Sequence, residues 1–249
     1  MGDVNNAEKN QETSDRIREL TAAESSLCKA LATGKESAEI ARKTAGVWYE
    51  IVKKHKKLQK IVHDIDDIYT SSISFAYEAR AYGLLDNNSC RFLHECRSAN
   101  RRVCDSIDER IQIFKSRVKI QIAMYRMTVK GNTQNDELIR ITKESKKLEE
   151  HHLSADFFSK LIASLKSSYE EIYDFNKKLR QFSEEAEQNL INVNKSLAEE
   201  QENYDRLRAE RDDYHRIYLK GRIPEIKKQL ETLREELSED ELKLKELEK

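Results

Sequence analysis

The sequence predicts an all-α protein: an elongated antiparallel bundle of three long helices, followed by a short C-terminal helix. Its 249 residues include only one Pro and six Gly, so few residues interrupt a helix. Hydrophobic residues make up 38% and charged residues 37%, a balance that suits a narrow apolar seam better than a thick globular core. The apolar residues also recur at alternating intervals of three and four, which is the coiled-coil period.

The first helix is predicted over 13–84, after a disordered polar lead-in at 1–12. An apolar stripe strengthens from Ile51 and continues to Tyr82. We expect a bend at Gly34 or Gly46, because Gly weakens a helix interior. Gly83 and the Asp-Asn-Asn run that follows it predict the turn into the second helix.

The second helix is predicted from Ser89, whose hydroxyl suits the N-cap, to Lys130. Its stripe runs from Leu93 to Val129, and Gly131 fits the residue just past a helix end. Short turns at both ends of this helix predict that sequential helices are antiparallel neighbours.

The third helix is predicted from about Asn135 to Gly221, and its strongest repeat runs from Leu138 to Leu219. A one-residue slip near His152–Phe158 predicts a stammer. Polar residues, Asn176 among them, fill some positions of the repeat. The predicted coiled-coil seam consists of Phe158, Ile162, Leu165, Tyr169, Ile172, Leu179, Leu190, Val193, Leu197, Tyr204, Leu207 and Tyr214.

A fourth, charged helix is predicted over 223–248, with Pro224 in its first turn. It carries Ile226, Leu230, Leu233 and Leu237 but is too charged to be a core element. The predicted domains are therefore a bundle at 13–220 and a C-terminal charged helix at 221–249.

The sequence offers no pattern for catalysis. GxSxG, GxxxxGK[ST], GxGxxG, HExxH and CxxC are all absent from it. Cys90 and His94, with Cys104 nearby, have a helical metal-ligand spacing, but zinc usually takes four ligands. His152 and Asp156 have the same spacing, which is more typical of a solvated polar pair. We predict no enzyme activity, no cofactor, no metal and no small-molecule substrate.

Basic residues form three clusters, although the formal net charge is −1 and favours no nucleic acid partner. One interpretation is that they solvate the outside of a coiled coil. The other is that they form one basic face for anionic lipid headgroups, to which each nearby Lys or Arg contributes about 1 kcal/mol. The clusters are Lys53, Lys54, Lys56, Lys57 and Lys60; Arg97, Arg101 and Arg102; and Lys115, Arg117, Lys119, Arg126 and Lys130.

The sequence has no run of 18 apolar residues and no export signal at its polar N-terminus. The four cysteines are then expected to be reduced thiols. We predict a cytoplasmic protein, with peripheral association with membranes as an open alternative.

Three long helices, basic clusters and a heptad-rich last helix resemble the BAR domain superfamily over residues 13–230. Local similarities are Glu109-Arg110-Ile111, Tyr125 before Val129-Lys130, and the stretch Arg222-Ile223-Pro224-Glu225-Ile226-Lys227. The resemblance implies a crescent-shaped homodimer whose basic face binds anionic membranes and senses or shapes their curvature.

Two functions remain open. The first is the BAR-like homodimer on an anionic lipid membrane. The second is a coiled-coil scaffold or tether subunit that assembles with a helical protein partner and has no lipid activity of its own. In the second case the exposed remainder of the third helix and residues 223–248 are the expected docking sites.

Overall fold

The computed structural model describes the backbone of residues 2–148 and 155–247, and side chains over 14–144 and 159–245. It contains three helices, α1 (Gly2–Ala81), α2 (Asn87–Leu148) and α3 (Ala155–Leu247), and no strand within the described ranges. This confirms the all-α prediction.

The chain divides into two compact units. Unit 1 comprises residues 1–52 and 112–192, and unit 2 comprises residues 53–111 and 193–249. Each of the three helices contributes one segment to each unit, and within each unit these segments pack as a helical bundle.

The first helix is longer than predicted. Its helical backbone begins at Gly2, so residues of the expected disordered lead-in are helical. It also continues as one helix through Gly34 and Gly46, and a bend at either position stays a prediction. A mid-helix Gly costs only about 1 kcal/mol relative to Ala, and the buried contacts of Leu27, Leu31 and Trp48 in the same helix outweigh that cost.

The predicted turn after α1 is confirmed in its position. Gly83 adopts a left-handed backbone with φ of 72°. The N–H of Leu84 donates to the carbonyl of Ala79 over 3.0 Å, and the N–H of Gly83 donates to the carbonyl of Arg80 over 2.8 Å. These two bonds form a Schellman motif, which ends the helix and satisfies its last carbonyls.

The N-cap of α2 is Asp86, and the prediction of Ser89 was wrong by three residues. Asp86 Oδ1 accepts hydrogen bonds from the backbone N–H of Ser89 over 2.9 Å and from its hydroxyl over 2.8 Å. A carboxylate placed before the first turn also interacts favourably with the helix dipole. The hydrogen bonds from Ser89 lower the pKa of the Asp86 carboxyl.

The turn predicted at Lys130–Thr133 is absent, because α2 continues through Gly131 to Leu148. Residues beyond that Gly are buried in unit 1, including Asn135, Ile139 and Thr142. Their burial favours continuation of the helix, and Gly131 alone does not end it. Leu138 thus belongs to α2, and the continuous third helix predicted from Asn135 was wrong.

The third helix runs through Gly221 and Pro224 to Leu247, so the separate fourth helix was also wrong. Pro224 lacks a backbone N–H and removes one helical hydrogen bond, yet the helix continues on both sides of it. The predicted stammer at His152–Phe158, the His152–Asp156 pair and the seam residue Phe158 lie outside the residues whose side chains are described.

The core of unit 1 joins all three helices. Leu20, Leu27 and Leu31 of α1 pack with Ile139 of α2 and Leu165 of α3. Farther along α1, the ring of Trp48 stacks on Phe114 of α2 with centroids 5.5 Å apart.

In the described part of unit 2, apolar residues pack in successive clusters along α1. Leu58 and Val62 of α1 pack with Cys104, Ile107 and Ile111 of α2. Next along α1, Ile65 and Ile68 pack with Leu207 of α3. The cluster nearest the turn consists of Ile73, Ala76, Cys90 and Leu93. Because α1 residue numbers rise as α2 numbers fall, these two helices are antiparallel in this unit.

Candidate functional site

The outward side of α2 in unit 1 carries a row of exposed apolar side chains. Ile113, Ile120 and Met127 are 56%, 53% and 67% exposed. They are spaced by seven residues, which places them on one line along a helix of 3.6 residues per turn. Single exposed apolar residues are common on a surface, but an aligned row indicates a contact surface.

A basic row runs beside the apolar row. Lys119 and Arg126 immediately precede Ile120 and Met127, and Lys130 lies one turn beyond Arg126. All three basic side chains are exposed, and none has an ion pair in the described part of the chain. We call Ile113, Lys119, Ile120, Arg126, Met127 and Lys130 the α2 face.

The charge of the α2 face is not balanced along its own helix. Between Gln112 and Asn135 the sequence has five basic residues and no acidic residue. Elsewhere acids and bases interleave, which is why the whole chain is nearly neutral. Unpaired positive charges on one helix surface produce a local positive potential that the net charge conceals.

Arg117 belongs to the same predicted cluster but is engaged within unit 1. Its guanidinium is 3.0 Å from a carboxylate oxygen of Glu185 in α3. It also lies over the Trp48 ring, 5.6 Å from the centroid. Arg117 and Lys115 are half-buried. Arg117 is therefore a packing residue that joins three helices, and only part of its charge faces outward.

The lysine run of α1, residues 53–60, lies in unit 2 and contacts one acidic residue of α2. Lys53, Lys56, Lys57 and Lys60 are exposed and Lys54 is half-buried. Gln59, in the middle of this run, donates a hydrogen bond to Asp108. No large apolar side chain within the run is exposed. The run thus lacks the combination of charge and apolar surface that the α2 face has.

Two arginines of the second cluster form ion pairs with Asp66 of α1, which balances one of their two positive charges. Its carboxylate lies 3.1 Å from Arg97 and 3.4 Å from Arg101. Burial by itself raises the pKa of the Asp66 carboxyl, but the hydrogen bonds and charges of the two arginines outweigh it and the pKa is lowered. Arg102 is exposed and has no ion pair in the part of the chain that the structure describes.

The cysteines and histidines singled out in the sequence lie in separate environments. Cys90 packs in the apolar cluster with Ile73, and the His94 ring nitrogen is 3.2 Å from the Tyr77 hydroxyl. Cys104 contacts His63, with Sγ and Nδ1 3.4 Å apart. Burial, and then nearby acids, raise the pKa of the Cys104 thiol. Among the described residues, no group of three His, Cys, Asp or Glu is placed to hold a metal ion.

The described seam residues of α3 mostly face the interior of the unit to which they belong. Tyr169 is the exception, since it is 38% exposed. In unit 1, Leu165 and Leu179 are buried and Ile162, Ile172 and Leu190 are half-buried; in unit 2, Val193 and Leu207 are buried and Leu197, Tyr204 and Tyr214 are half-buried.

The last part of α3 has a second exposed apolar row, the C-terminal stripe. Its members follow a heptad spacing, and each is between 39% and 61% exposed. Among the described residues, none of its members belongs to the apolar clusters that α1 and α2 form near the turn. The stripe consists of Ile223, Ile226, Leu230, Leu233, Leu237 and Leu244.

The sequence reasoning missed Ile113, Ile120 and Met127. The stripe predicted as the core of the second helix includes Ile111 and Phe114 but none of these three residues. The available signal was their seven-residue spacing beside a stretch that has no acidic residue.

No protein-family model, no curated protein and no solved structure matches this chain. Over the residues that the structure describes, none of the helices has an apolar stretch long enough to cross a bilayer.

Proposed function

We propose that this chain is a non-enzymatic protein that binds anionic membrane surfaces through the α2 face. The observation that carries the proposal is the pairing of two rows: exposed Ile113, Ile120 and Met127 beside exposed Lys119, Arg126 and Lys130. A helix surface with this composition lies at a membrane interface, with its apolar side chains among the acyl chains and its cations at the headgroups.

The expected binding energy has two sources. Three unpaired basic residues near an anionic surface contribute about 3 kcal/mol together. Partial burial of two Ile and one Met side chain in the interface contributes a few kcal/mol more, at about 25 cal/mol per Å² of apolar surface. Neither source alone gives stable binding, but their sum supports reversible peripheral association.

This proposal narrows the surface predicted from the sequence. Asp66 forms ion pairs with Arg97 and Arg101, and Glu185 forms an ion pair with Arg117. These contacts reduce the charge that the predicted residues can offer to a headgroup. The BAR-like homodimer and its effect on curvature remain part of the proposal. A comparison of small and large vesicles of one composition tests the effect on curvature.

The test is co-sedimentation with phosphatidylcholine vesicles that either contain or lack phosphatidylserine. The wild type should bind the anionic vesicles and release them at about 0.5 M NaCl, because salt screens exposed charges. The variant Lys119→Glu/Arg126→Glu should bind at least about tenfold more weakly, since it loses two of the favourable contacts. The Ile120→Ser/Met127→Ser variant tests the apolar row without changing the charge.

Lys177→Glu/Lys178→Glu is the matched control, because it makes the same change in net charge on exposed residues of α3. It should bind nearly as well as the wild type. Circular dichroism checks that every variant remains helical. Equal binding to both kinds of vesicle, or equal losses in the two charge variants, would contradict the α2 face as the contact.

The second candidate function is the coiled-coil scaffold without lipid activity. The specific observation in its favour is the C-terminal stripe, whose apolar residues need another helix for burial. If the chain does not bind anionic vesicles but self-associates or assembles with a partner through this stripe, the result would support the scaffold function over membrane binding.

A further inference from the structure

The C-terminal stripe has the geometry of half a coiled coil. Ile223, Leu230, Leu237 and Leu244 are spaced by seven residues, and Ile226 and Leu233 follow the first two by three. These are the a and d positions of a heptad repeat. All six side chains are at least 39% exposed. A second helix laid along the stripe would bury, as knobs in holes, those side chains that it overlaps.

The polar residues beside the stripe disfavour a parallel pairing of two copies. In a parallel dimer each g residue lies near the e residue of the next heptad of the partner. Arg222 would then lie near Lys227, and Glu236 near Glu241. Asp240, which occupies a d position, would lie directly opposite its own copy. Each of these contacts places like charges together, which costs free energy, and only Lys243 with Glu248 pairs opposite charges in this arrangement.

In an antiparallel pairing, charged residues beside the stripe lie next to residues of opposite charge. The e residue follows each d position of the stripe, and the g residue precedes each a position. When Leu233 lies opposite Leu244 of the second copy, e residues face e residues and g residues face g residues. Arg234 then faces Glu241, and Glu236 faces Lys243, with each pair occurring twice by symmetry. Asp240 lies opposite Leu237 and no longer opposite itself.

The charges also select this register among the antiparallel ones. A shift by one heptad would place Leu233 opposite Leu237. Arg234 would then meet Arg234 of the second copy, and Glu236 would meet Glu236. Only the first register pairs opposite charges on both sides of the apolar seam.

From this complementarity we propose that the part of the C-terminal stripe from Leu230 to Leu244 is a homodimer interface in which the α3 ends of two copies pair antiparallel, with Leu233 opposite Leu244. The interface is separate from the α2 face and does not depend on membrane binding, and it is the contact through which the proposed homodimer forms. A two-fold symmetric, self-complementary contact of this kind closes on itself and does not propagate into fibres.

Light scattering in line with size-exclusion chromatography tests the interface on the full chain. The wild type should have twice the mass of one chain, and Leu230→Ser/Leu237→Ser should have the mass of one. Leu242→Ser is the matched control: Leu242 is 59% exposed on the same helix but lies off the stripe, so this variant should remain a dimer. The replaced side chains are 49% and 61% exposed and belong to neither of the apolar clusters next to the turn, so the rest of the fold should persist.

Glu236→Lys tests whether the two α3 helices pair antiparallel or parallel. In the antiparallel register this change places a second positive charge opposite Lys243 and should weaken dimerisation about tenfold. In a parallel dimer it would relieve the repulsion with Glu241 and strengthen dimerisation. Adding Lys243→Glu to the first change should restore the wild-type affinity.

A tighter Glu236→Lys dimer would overturn the antiparallel arrangement. A wild type that remains monomeric at all concentrations would overturn the proposed homodimer. The stripe would then be a binding site for a different helical protein. Vesicle binding is measured separately, so failure of the dimer and failure of membrane binding are distinguishable results.

Discussion

Asn176 of α3 donates a hydrogen bond from Nδ2 to the hydroxyl of Ser37 in α1, over 2.8 Å, in the interior of unit 1. Both side chains are buried. The Oδ1 atom of Asn176 accepts a hydrogen bond from Arg180 over 3.0 Å, so both ends of the amide are engaged. A polar residue at a seam position disfavours other alignments of the helices, because any shift would leave it buried without partners.

We expect Asn176→Ala to lower the free energy of unfolding by about 1–3 kcal/mol, since it removes a buried hydrogen bond and leaves a cavity. Urea unfolding followed by circular dichroism measures the loss. Ser37→Ala should cost less, because Asn176 Nδ2 keeps the Thr33 carbonyl as an acceptor over 3.4 Å and the side chain removed is smaller. The double variant should lose less than the sum of the two single losses, and strict additivity would show that the pair is not coupled.

Gly221→Ala should destabilise unit 2, although Ala favours a helix by about 1 kcal/mol. A Cβ at this position would lie 2.5 Å from the ring of Tyr82 and 2.8 Å from its Cβ. Because the Tyr82 Cβ is fixed to the backbone, the helices must shift, at a typical cost of about 1–3 kcal/mol. Thermal unfolding should give a lower Tm than the wild type.

The matched variant for that measurement is Gly46→Ala, which tests helix propensity alone. Gly46 is exposed in α1, and a Cβ there would meet no atom within 4 Å. It should raise the free energy of unfolding by about 0.5–1 kcal/mol. A rise in Tm for both variants would mean that Tyr82 moves aside freely.

Asp66→Asn should destabilise unit 2 by about 1 kcal/mol at pH 7, since it weakens the contacts with Arg97 and Arg101. The pKa of this carboxyl is lowered on folding, so its contribution is present above the unfolded pKa, about 3.9, and is lost as the pH falls through the folded value. The stability difference between wild type and variant should therefore shrink below about pH 4. Asp67→Asn, an exposed neighbour, should show neither effect. A difference that stays constant down to about pH 2.5 would contradict the ion pairs.

Arg117→Gln should act through packing more than through membrane binding. It removes the cation over Trp48 and the ion pair with Glu185, at a cost of about 0.5–1 kcal/mol. Trp48 is the only Trp of the chain, so a changed emission spectrum reports on this contact directly. Vesicle binding should fall less than in Lys119→Glu/Arg126→Glu. The opposite order would place Arg117 at the membrane contact.

Periodicity predicted the helices well, because burial of an apolar stripe repeats along the whole length of each helix. The ends were predicted poorly where a single Gly was taken as a breaker. Gly83 does end its helix, but with a left-handed φ and two capping hydrogen bonds. Gly131 and Gly221 lie inside helices whose packing continues past them. A sequence shows the residue, but only tertiary contacts decide between these outcomes.

The candidate surface was predicted in part for a similar reason. The clusters were visible as charge, yet the acids that neutralise Arg97 and Arg117 are distant in sequence and come close only on folding. The apolar row of the α2 face and the C-terminal stripe differ from the core stripes only in being exposed. Which apolar residues are exposed depends on where each helix ends and on how the helices align with one another, and a periodic pattern does not determine either.

The short turn that joins α1 to α2 also affects the order in which contacts form during folding. Ile73 and Cys90 meet across a short loop, so their pairing costs little chain entropy, and Val62 with Cys104 can then follow along the antiparallel helices. Ser37 and Asn176, in contrast, are separated by 139 positions. Because distant contacts are slow to form, we expect the segments next to the turn to nucleate folding and the α1–α3 hydrogen bond to form late.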